Sequence, residues 1–440
     1  MESVTFFWGC QIPARFPFME KSVRLLMKQL GIKVEDIPGF TCCPEKALVK
    51  NLDPKVWYLT AARNLAVAED AGVEVLIEPC NGCYSTLKTV KTSLILNLSL
   101  KDEINRKLET YGLEYQGRIT VMHLAEYLHD KIGLAKLKEG IIEPLSGMQI
   151  AVHYGCHMIR PSYAIQFDDP LLPQKFDALV TALGARSIEY PRKMQCCGGE
   201  YSNVGSMEEA LIMAREKLLE IKSLDIDALV VMCPACFMQF DNKQYMMQRQ
   251  GEDMAIPIFF YPELVCLAYG IMPDEIGLAF HRIDTQPFYE RRHAQSERIK
   301  KIEEGFDLES LERCYQCRAC LDDCPGCLNF PDFQPDQIME KILEGKVEEL
   351  LNRQDIWHCL ECHTCYELCP QRYGMETVFT TLKGMAMTKG LIPATVKQAI
   401  ETFEKSGKLG EPQKTQRKKL NLPEPPASGV KEWKKIVAKK

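Results

Sequence analysis

Cys196 and Cys197 stand side by side in MQCCGGE (194–200), followed by Gly198 and Gly199. Adjacent residues rarely close a disulfide with each other, because the bridge needs a Cα separation and Cβ geometry that one trans peptide strains. Thiols so placed can instead ligate two metals of one cluster, or share one metal. The two glycines let backbone approach a bulky inorganic centre, and successive amides there can donate to sulfide. The chain has twenty cysteines in 440 residues. Reducing cytosol disfavours structural disulfides and a chain of this size needs no staples, so metal or redox chemistry is the expected use.

Half of these cysteines repeat. Cys10, Cys42, Cys43, Cys80 and Cys83 recur in order as Cys156, Cys196, Cys197, Cys233 and Cys236, at offsets of 146 to 154 residues. Each unit reads C, CC, CxxC, and the flanks repeat as well: SVTFFWGC with MQIAVHYGC, LGIKVEDIPGFTCC with LGARSIEYPRKMQCC, VEVLIEPCNGC with IDALVVMCPAC. A structural zinc site is the plainer use of CxxC, but zinc closes on four ligands and five cysteines per unit suit it poorly. Cys266, outside the pattern, reads as an inert core thiol.

A second block is C-x₂-C-x₂-C-x₃-C-P, twice: Cys314, Cys317, Cys320 and Cys324 before Pro325, then Cys359, Cys362, Cys365 and Cys369 before Pro370. This is the bacterial two-cluster ferredoxin spacing, in which the fourth cysteine serves the other cluster. Cys314, Cys317, Cys320 and Cys369 are therefore assigned to one cubane 4Fe-4S cluster, and Cys359, Cys362, Cys365 and Cys324 to the other. Cys327 is left as a spare thiol.

The elements that must position these groups follow from periodicity. VTFF, QIAV, EVLI and ALVVM are short, β-branched-rich apolar runs, suited to buried parallel strands. Helical periodicity fills 21–31, 61–72, 175–184 and 206–223. Strands alternating with helices predict an α/β, doubly wound sheet in each repeat, with ligands at the carboxyl ends of the strands. Cys10, Cys80, Cys156 and Cys233 each follow such a strand. Residues 335–353 read as helical, which makes the second module mainly α-helical. The expected domains are 1–145 and 146–283 for the two repeats, a charged connector at 284–305, the ferredoxin-like domain at 306–404 and a basic extended tail at 405–440. That tail carries eleven Lys or Arg against three Asp or Glu.

The net charge is −6, with 46% hydrophobic and 26% charged residues. No general basic excess exists to attract nucleic acid. No signal peptide or membrane-length apolar run is seen, so a cytoplasmic protein with no membrane partner is expected. No strand–GxGxxG–helix fingerprint is present, so no flavin or NAD is expected on this chain.

The N-terminal 280 or so residues, HYGCHMIRP (153–161) in particular, resemble the B subunit of heterodisulfide reductase, of the CCG-domain family. The segment from about 300 resembles the C subunit of the same enzyme, so the chain looks like a B–C fusion. The resemblance implies two pseudo-symmetric Rossmann-like CCG repeats, each holding a noncubane 4Fe-4S cluster through its five cysteines. It implies that the clusters face each other, that a disulfide enters between them, and that each cluster supplies one electron to break it. A flavin-containing protein like the A subunit of heterodisulfide reductase would feed electrons through the cubanes, with hydrogenase, formate dehydrogenase or other electron-input subunits beyond. The disulfide would be CoM-S-S-CoB or a bacterial equivalent; a non-catalytic electron-transfer subunit is the alternative. The first repeat departs from the motif, with Pro44 in TCCPE where Gly198 stands in the second. His153 and His157 are candidate proton donors or ligand-orienting groups, and Arg160, with Lys193 and Arg192, a candidate anchor for an anionic substrate.

Overall fold

The computed structural model of the chain describes residues 3–44 and 49–437, so Glu45 of TCCPE and the last three residues of the basic tail lie outside the description. The chain divides into two compact units, residues 1–296 and 297–440.

The first unit contains two four-stranded sheets, entirely parallel. In one, β1 (Ser3–Phe6), β2 (Lys33–Glu35), β3 (Val75–Glu78) and β4 (Thr120–His123) lie in the order β2-β1-β3-β4. In the other, β5 (Gln149–His153), β6 (Arg186–Ile188), β7 (Ala228–Val231) and β8 (Ile258–Phe260) lie in the order β6-β5-β7-β8. The four runs read from the sequence supply the central strands. β7 is buried at every residue, as a strand covered on both faces must be. The outer strands β2, β4, β6 and β8 escaped that reading: all four lie at sheet edges, and β2 and β6 are only three residues long and polar.

In both sheets the strand order reverses between the two central strands, at β1/β3 and at β5/β7. Chains leaving the carboxyl ends of strands on either side of such a reversal diverge and open a crevice. Cys10 and Cys80 follow β1 and β3; Cys156 and Cys233 follow β5 and β7. The helices obey the same duplication. After α1 (Pro17–Gln29), α2 (Pro54–Asp70) begins at Asp53, whose carboxylate accepts from Lys55 N at 2.9 Å and Val56 N at 3.3 Å, with Pro54 preset for the first turn. α3 (Asn81–Leu96) carries the first CxxC. α4 (Lys175–Ala182), α5 (Met207–Lys222) and α6 (Pro234–Arg249) follow in the second repeat, α6 carrying its CxxC.

Glu69, buried near the end of α2, accepts from the backbone amides of Gln116 (2.6 Å), Arg118 (2.5 Å) and Ile119 (3.0 Å), fixing the loop that enters β4. Bonds to a charged acceptor contribute about 1.5–3 kcal/mol each and are not fully additive. Glu69→Ala is expected to lower the local opening free energy there by about 3 kcal/mol, which speeds amide exchange at 116–119 on the order of 10²-fold. Hydrogen-exchange mass spectrometry of that segment checks it.

Residues 286–303 form α7 and 308–317 form α8, which ends on Cys317. The segment expected to be helical over 335–353 forms two helices, α9 (Pro335–Leu343) and α10 (Val347–Leu351), with the chain turning at Gly345 between them. These helices and α11 (Met375–Thr388) enclose the second unit's core of Ile338, Met339, Ile342, Leu350, Phe379 and Leu382. After α12 (Ala394–Ser406), the tail is not simply extended: α13 (Lys414–Lys419) and α14 (Val430–Val437) are helical, and Trp433 of α14 meets Phe403 of α12 edge to face at 5.1 Å.

Candidate metal centres

All ten repeated cysteines line one cavity of about 290 Å³ in the first unit. Their thiols form a continuous file. Cys10 Sγ and Cys42 Sγ are 3.5 Å apart. Cys43 neighbours Cys42 and Cys83, Cys83 neighbours Cys80, and Cys80 neighbours Cys233. Cys233 neighbours Cys236, Cys236 neighbours Cys197, Cys197 neighbours Cys196, and Cys196 Sγ lies 3.8 Å from Cys156 Sγ. Read from its midpoint between Cys80 and Cys233, the file names equivalent residues of the two repeats in step. No cysteine is in a disulfide.

Mutual bonding and burial hold Cys80, Cys83 and Cys236 well above the usual thiol range, while bonds received from Cys236 and Cys80 lower Cys233. So many buried thiols cannot ionise together without compensating cations, which is the situation a metal cluster resolves. Five soft sulfur donors per repeat fit iron–sulfur ligation and exceed what one tetrahedral zinc takes.

Backbone shapes the cavity. Gly155, with φ +73°, has no room for a side chain: a Cβ there would lie 2.4 Å from Asn81 Nδ2 and 3.3 Å from Cys236 Sγ. Its counterpart Gly9 would place a Cβ 2.8 Å from Cys83 Sγ. Neither glycine was singled out from the sequence, although each immediately precedes the first cysteine of its repeat. Asn81, also not singled out, spans the repeats by donating Nδ2 to Tyr154 O at 2.8 Å, and its Oδ1 is buried without a partner. Gly198 N donates to Cys196 Sγ at 3.4 Å. Gly199 lines the cavity; Gly198 is glycine for a different reason, since a Cβ would meet Met213 at 3.0 Å.

His157 lines the cavity. His153 is buried behind the second set, its Nδ1 3.0 Å from Lys217 Nζ and its Nε2 without a partner. A ring nitrogen of His153 and the Sγ atoms of Cys197 and Cys236 lie within 4.8 Å of one another. Burial holds His153 well below the usual imidazole range; burial also lowers Lys217, to about 8, against the pull of the nearby thiols. Arg160 is not in the cavity wall: Nε and one Nη donate to Pro170 O at 3.2 and 3.1 Å. Lys193 pairs with Asp177 at 2.7 Å and Arg192 with Glu216 at 2.8 Å, so these cations are engaged elsewhere. Cys266 is buried and donates to Ser22 O at 3.4 Å.

In the second unit the thiols separate into two pockets. Cys369 lies with Cys314, Cys317 and Cys320, while Cys324 lies with Cys359, Cys362 and Cys365. Cys320 and Cys365 border both. Cys327 lines neither, though its thiol bonds Cys324.

The cysteine-rich CCG domain matches residues 4–88 and 150–241, and a 4Fe-4S dicluster domain matches 310–373. Fold and thiol arrangement thus define an iron–sulfur protein with a duplicated cysteine-rich domain and a C-terminal 4Fe-4S domain. The B subunit of the ferredoxin/F420H2-dependent CoB-CoM heterodisulfide reductase of Methanosarcina acetivorans is 37% identical over 290 residues, 66% of this chain and 96% of the relative. The chain belongs to the family of heterodisulfide reductase B subunits. The 8-methylmenaquinol:fumarate reductase membrane anchor subunit of Wolinella succinogenes is 31% identical over 280 residues, 63% of this chain and 96% of that protein. Among the described residues no helix is long and apolar enough to cross a membrane. A hypothetical protein from Helicobacter pylori has a similar fold, with TM-score 0.51 and 19% identity over 64% of this chain; this chain covers 52% of it.

Proposed function

We propose that this chain is a disulfide-reducing subunit whose ten-thiol cavity holds two noncubane 4Fe-4S clusters, fed by two cubane 4Fe-4S clusters in the C-terminal unit. The observation that carries this reading is the gathering of both five-cysteine sets on one cavity, with Cys80 of one set neighbouring Cys233 of the other. The ligands proposed are Cys10, Cys42, Cys43, Cys80 and Cys83 for one cluster, and Cys156, Cys196, Cys197, Cys233 and Cys236 for the other. When bound, the clusters supply one-electron redox chemistry; the protein supplies the enclosure, the orientation and the protons. Each repeat is read as Rossmann-like and the C-terminal unit as ferredoxin-like.

The overall reaction is R–S–S–R′ + 2e⁻ + 2H⁺ → R–SH + R′–SH, a thiol–disulfide couple driven by external electrons. The electrons come from a flavin-containing partner like the A subunit of heterodisulfide reductase, and CoM-S-S-CoB or a bacterial equivalent is the substrate class. His157, in the cavity wall, is the proposed proton donor. Cys80 and Cys233 define the plane between the two sets, on which the disulfide is placed. Arg160 is outside the cavity wall, so no role is given to it in this scheme.

The similarity to the Wolinella protein supports a second reading, in which the same centres only relay electrons. Electron paramagnetic resonance separates the two. Oxidised chain titrated with coenzyme M, coenzyme B and simple alkyl thiols is expected to develop a new signal with at least one of them. Silence with every thiol, at full iron content, supports the relay.

A further inference from the structure

The two repeats correspond position by position around their thiols, so a difference between equivalent positions is a difference between the two centres. Three such differences have the same sign. The helix between CC and CxxC is α2 in the first repeat and α5 in the second. At equal distances ahead of Cys80 and Cys233 it carries Asn64 in one and Lys217 in the other. Both are buried and both hold the CC loop: Asn64 Nδ2 donates to Cys42 O at 3.1 Å, and Lys217 Nζ donates to Gln195 O at 2.7 Å. The mechanical task is shared, but only the second repeat performs it with an ammonium group.

The second difference lies three residues before the first cysteine, where Phe7 of the first repeat is replaced by His153. Lys217 donates to His153 Nδ1 at 3.0 Å. A neutral imidazole that accepts at Nδ1 carries its proton on Nε2. That N–H has no partner in the protein, on a side chain that is 1% exposed and adjoins Cys197 and Cys236. The third difference follows the CC pair. Gly198 donates its amide to Cys196, whereas Pro44 in the equivalent place has no N–H to give Cys42.

Net charge and hydrogen bonds to sulfur set the potential of an iron–sulfur centre, and positive charge or a donated proton stabilises the reduced form. We propose that Lys217, acting through His153 and with the amide of Gly198, makes the second-repeat centre the more easily reduced of the pair. Lys217 is a positioning residue and a fixed charge; it touches neither cavity nor substrate. The two centres therefore take up electrons in order, the second repeat first. Each uptake is a one-electron addition to a cluster, with no bond made or broken. This inference rests on the two-cluster reading above.

Anaerobic potentiometric titration of the full chain with dithionite and mediators, followed by electron paramagnetic resonance, tests it. Cys10→Ser and Cys156→Ser assign the signals by removing one or the other. In the unaltered chain the signal lost in Cys156→Ser is expected to have the higher midpoint. Lys217→Asn, which installs the first-repeat residue, is expected to shift that midpoint down by at least a tenfold change in the reduction equilibrium, about 59 mV for one electron, and to leave the other unmoved. His153→Phe is expected to shift it the same way, while Lys217→Arg retains most of it. Equal midpoints in the unaltered chain, a higher midpoint for the first repeat, or no selective shift in the two charge-removing variants overturns the inference. The unaltered chain decides the order even where a variant fails to fold. Iron confined to the C-terminal unit overturns the two-cluster reading itself, and is recognised by iron content before any titration.

Discussion

Cys233→Ser is expected to be the most damaging single substitution at the thiol cavity. Cys233 is where the second set of thiols meets the first, neighbouring Cys236 within its own repeat and Cys80 across to the other. Serine keeps the volume but is a hard, weakly acidic donor, poorly matched to iron–sulfur ligation. Loss of a residue that merely orients a metal ligand commonly costs about 10–100-fold in metal affinity or activity. Loss of a direct ligand of the second-repeat cluster is expected to exceed that, lowering disulfide reduction by more than about 10²-fold. Iron per chain is expected to fall from about sixteen atoms toward about twelve, the loss of one four-iron cluster. Colorimetric iron determination and a viologen-linked disulfide assay measure both. Cys266→Ser, in the core but away from the file, is expected to leave iron content unchanged.

Gly155→Ala is expected to have the next largest effect, through backbone rather than through a donor. At φ +73° and ψ +155° Gly155 occupies backbone essentially reserved for glycine, which costs another residue about 1–3 kcal/mol. The new methyl would also sit 2.4 Å from Asn81 Nδ2, which is held in place by its bond to Tyr154 O. Breaking that buried bond adds about 1–3 kcal/mol, and whatever moves displaces Cys236 or the start of α3. The total is about 2–6 kcal/mol, with partial loss of iron from the cavity. Gly205→Ala is the control, since its φ of +87° carries the conformational cost but nothing lies within 4 Å of the new methyl. Thermal unfolding of the two variants, with iron content alongside, is expected to show a small shift with full iron for Gly205→Ala. Gly155→Ala is expected to show a larger shift with iron lost.

The chemistry-bearing residues were legible from the sequence because duplication and spacing are one-dimensional properties. C, CC, CxxC recurring in order identifies the ten thiols without coordinates, and the doubled C-x₂-C-x₂-C-x₃-C-P identifies eight more. The central strands were legible too, since β1, β3, β5 and β7 are buried apolar runs. The outer strands were not: Lys33–Glu35 and Arg186–Ile188 are three residues long and polar, and they are strands only because a neighbour supplies the hydrogen bonds. The helices that carry the CxxC motifs, α3 and α6, were hidden for a related reason. They start inside the motif, and their buried positions include polar residues such as Thr86, Thr89, Gln239 and Gln244, which blurs any apolar periodicity.

What the sequence determined by itself is which side chains can bind metal and which sheet ends present them, because ligand spacing and strand register are properties of contiguous residues. What only the tertiary structure decided is that both sets of five open on one cavity and meet at Cys80 and Cys233. It also decided that Gly9 and Gly155 must lack side chains, that Arg160 is turned away onto Pro170, and that Lys217 lies beneath the second set while Asn64 lies beneath the first. Those facts depend on residues tens to hundreds of positions apart being brought within a few ångströms. Packing and hydrogen bonding between whole elements fix such distances, and no local pattern encodes them.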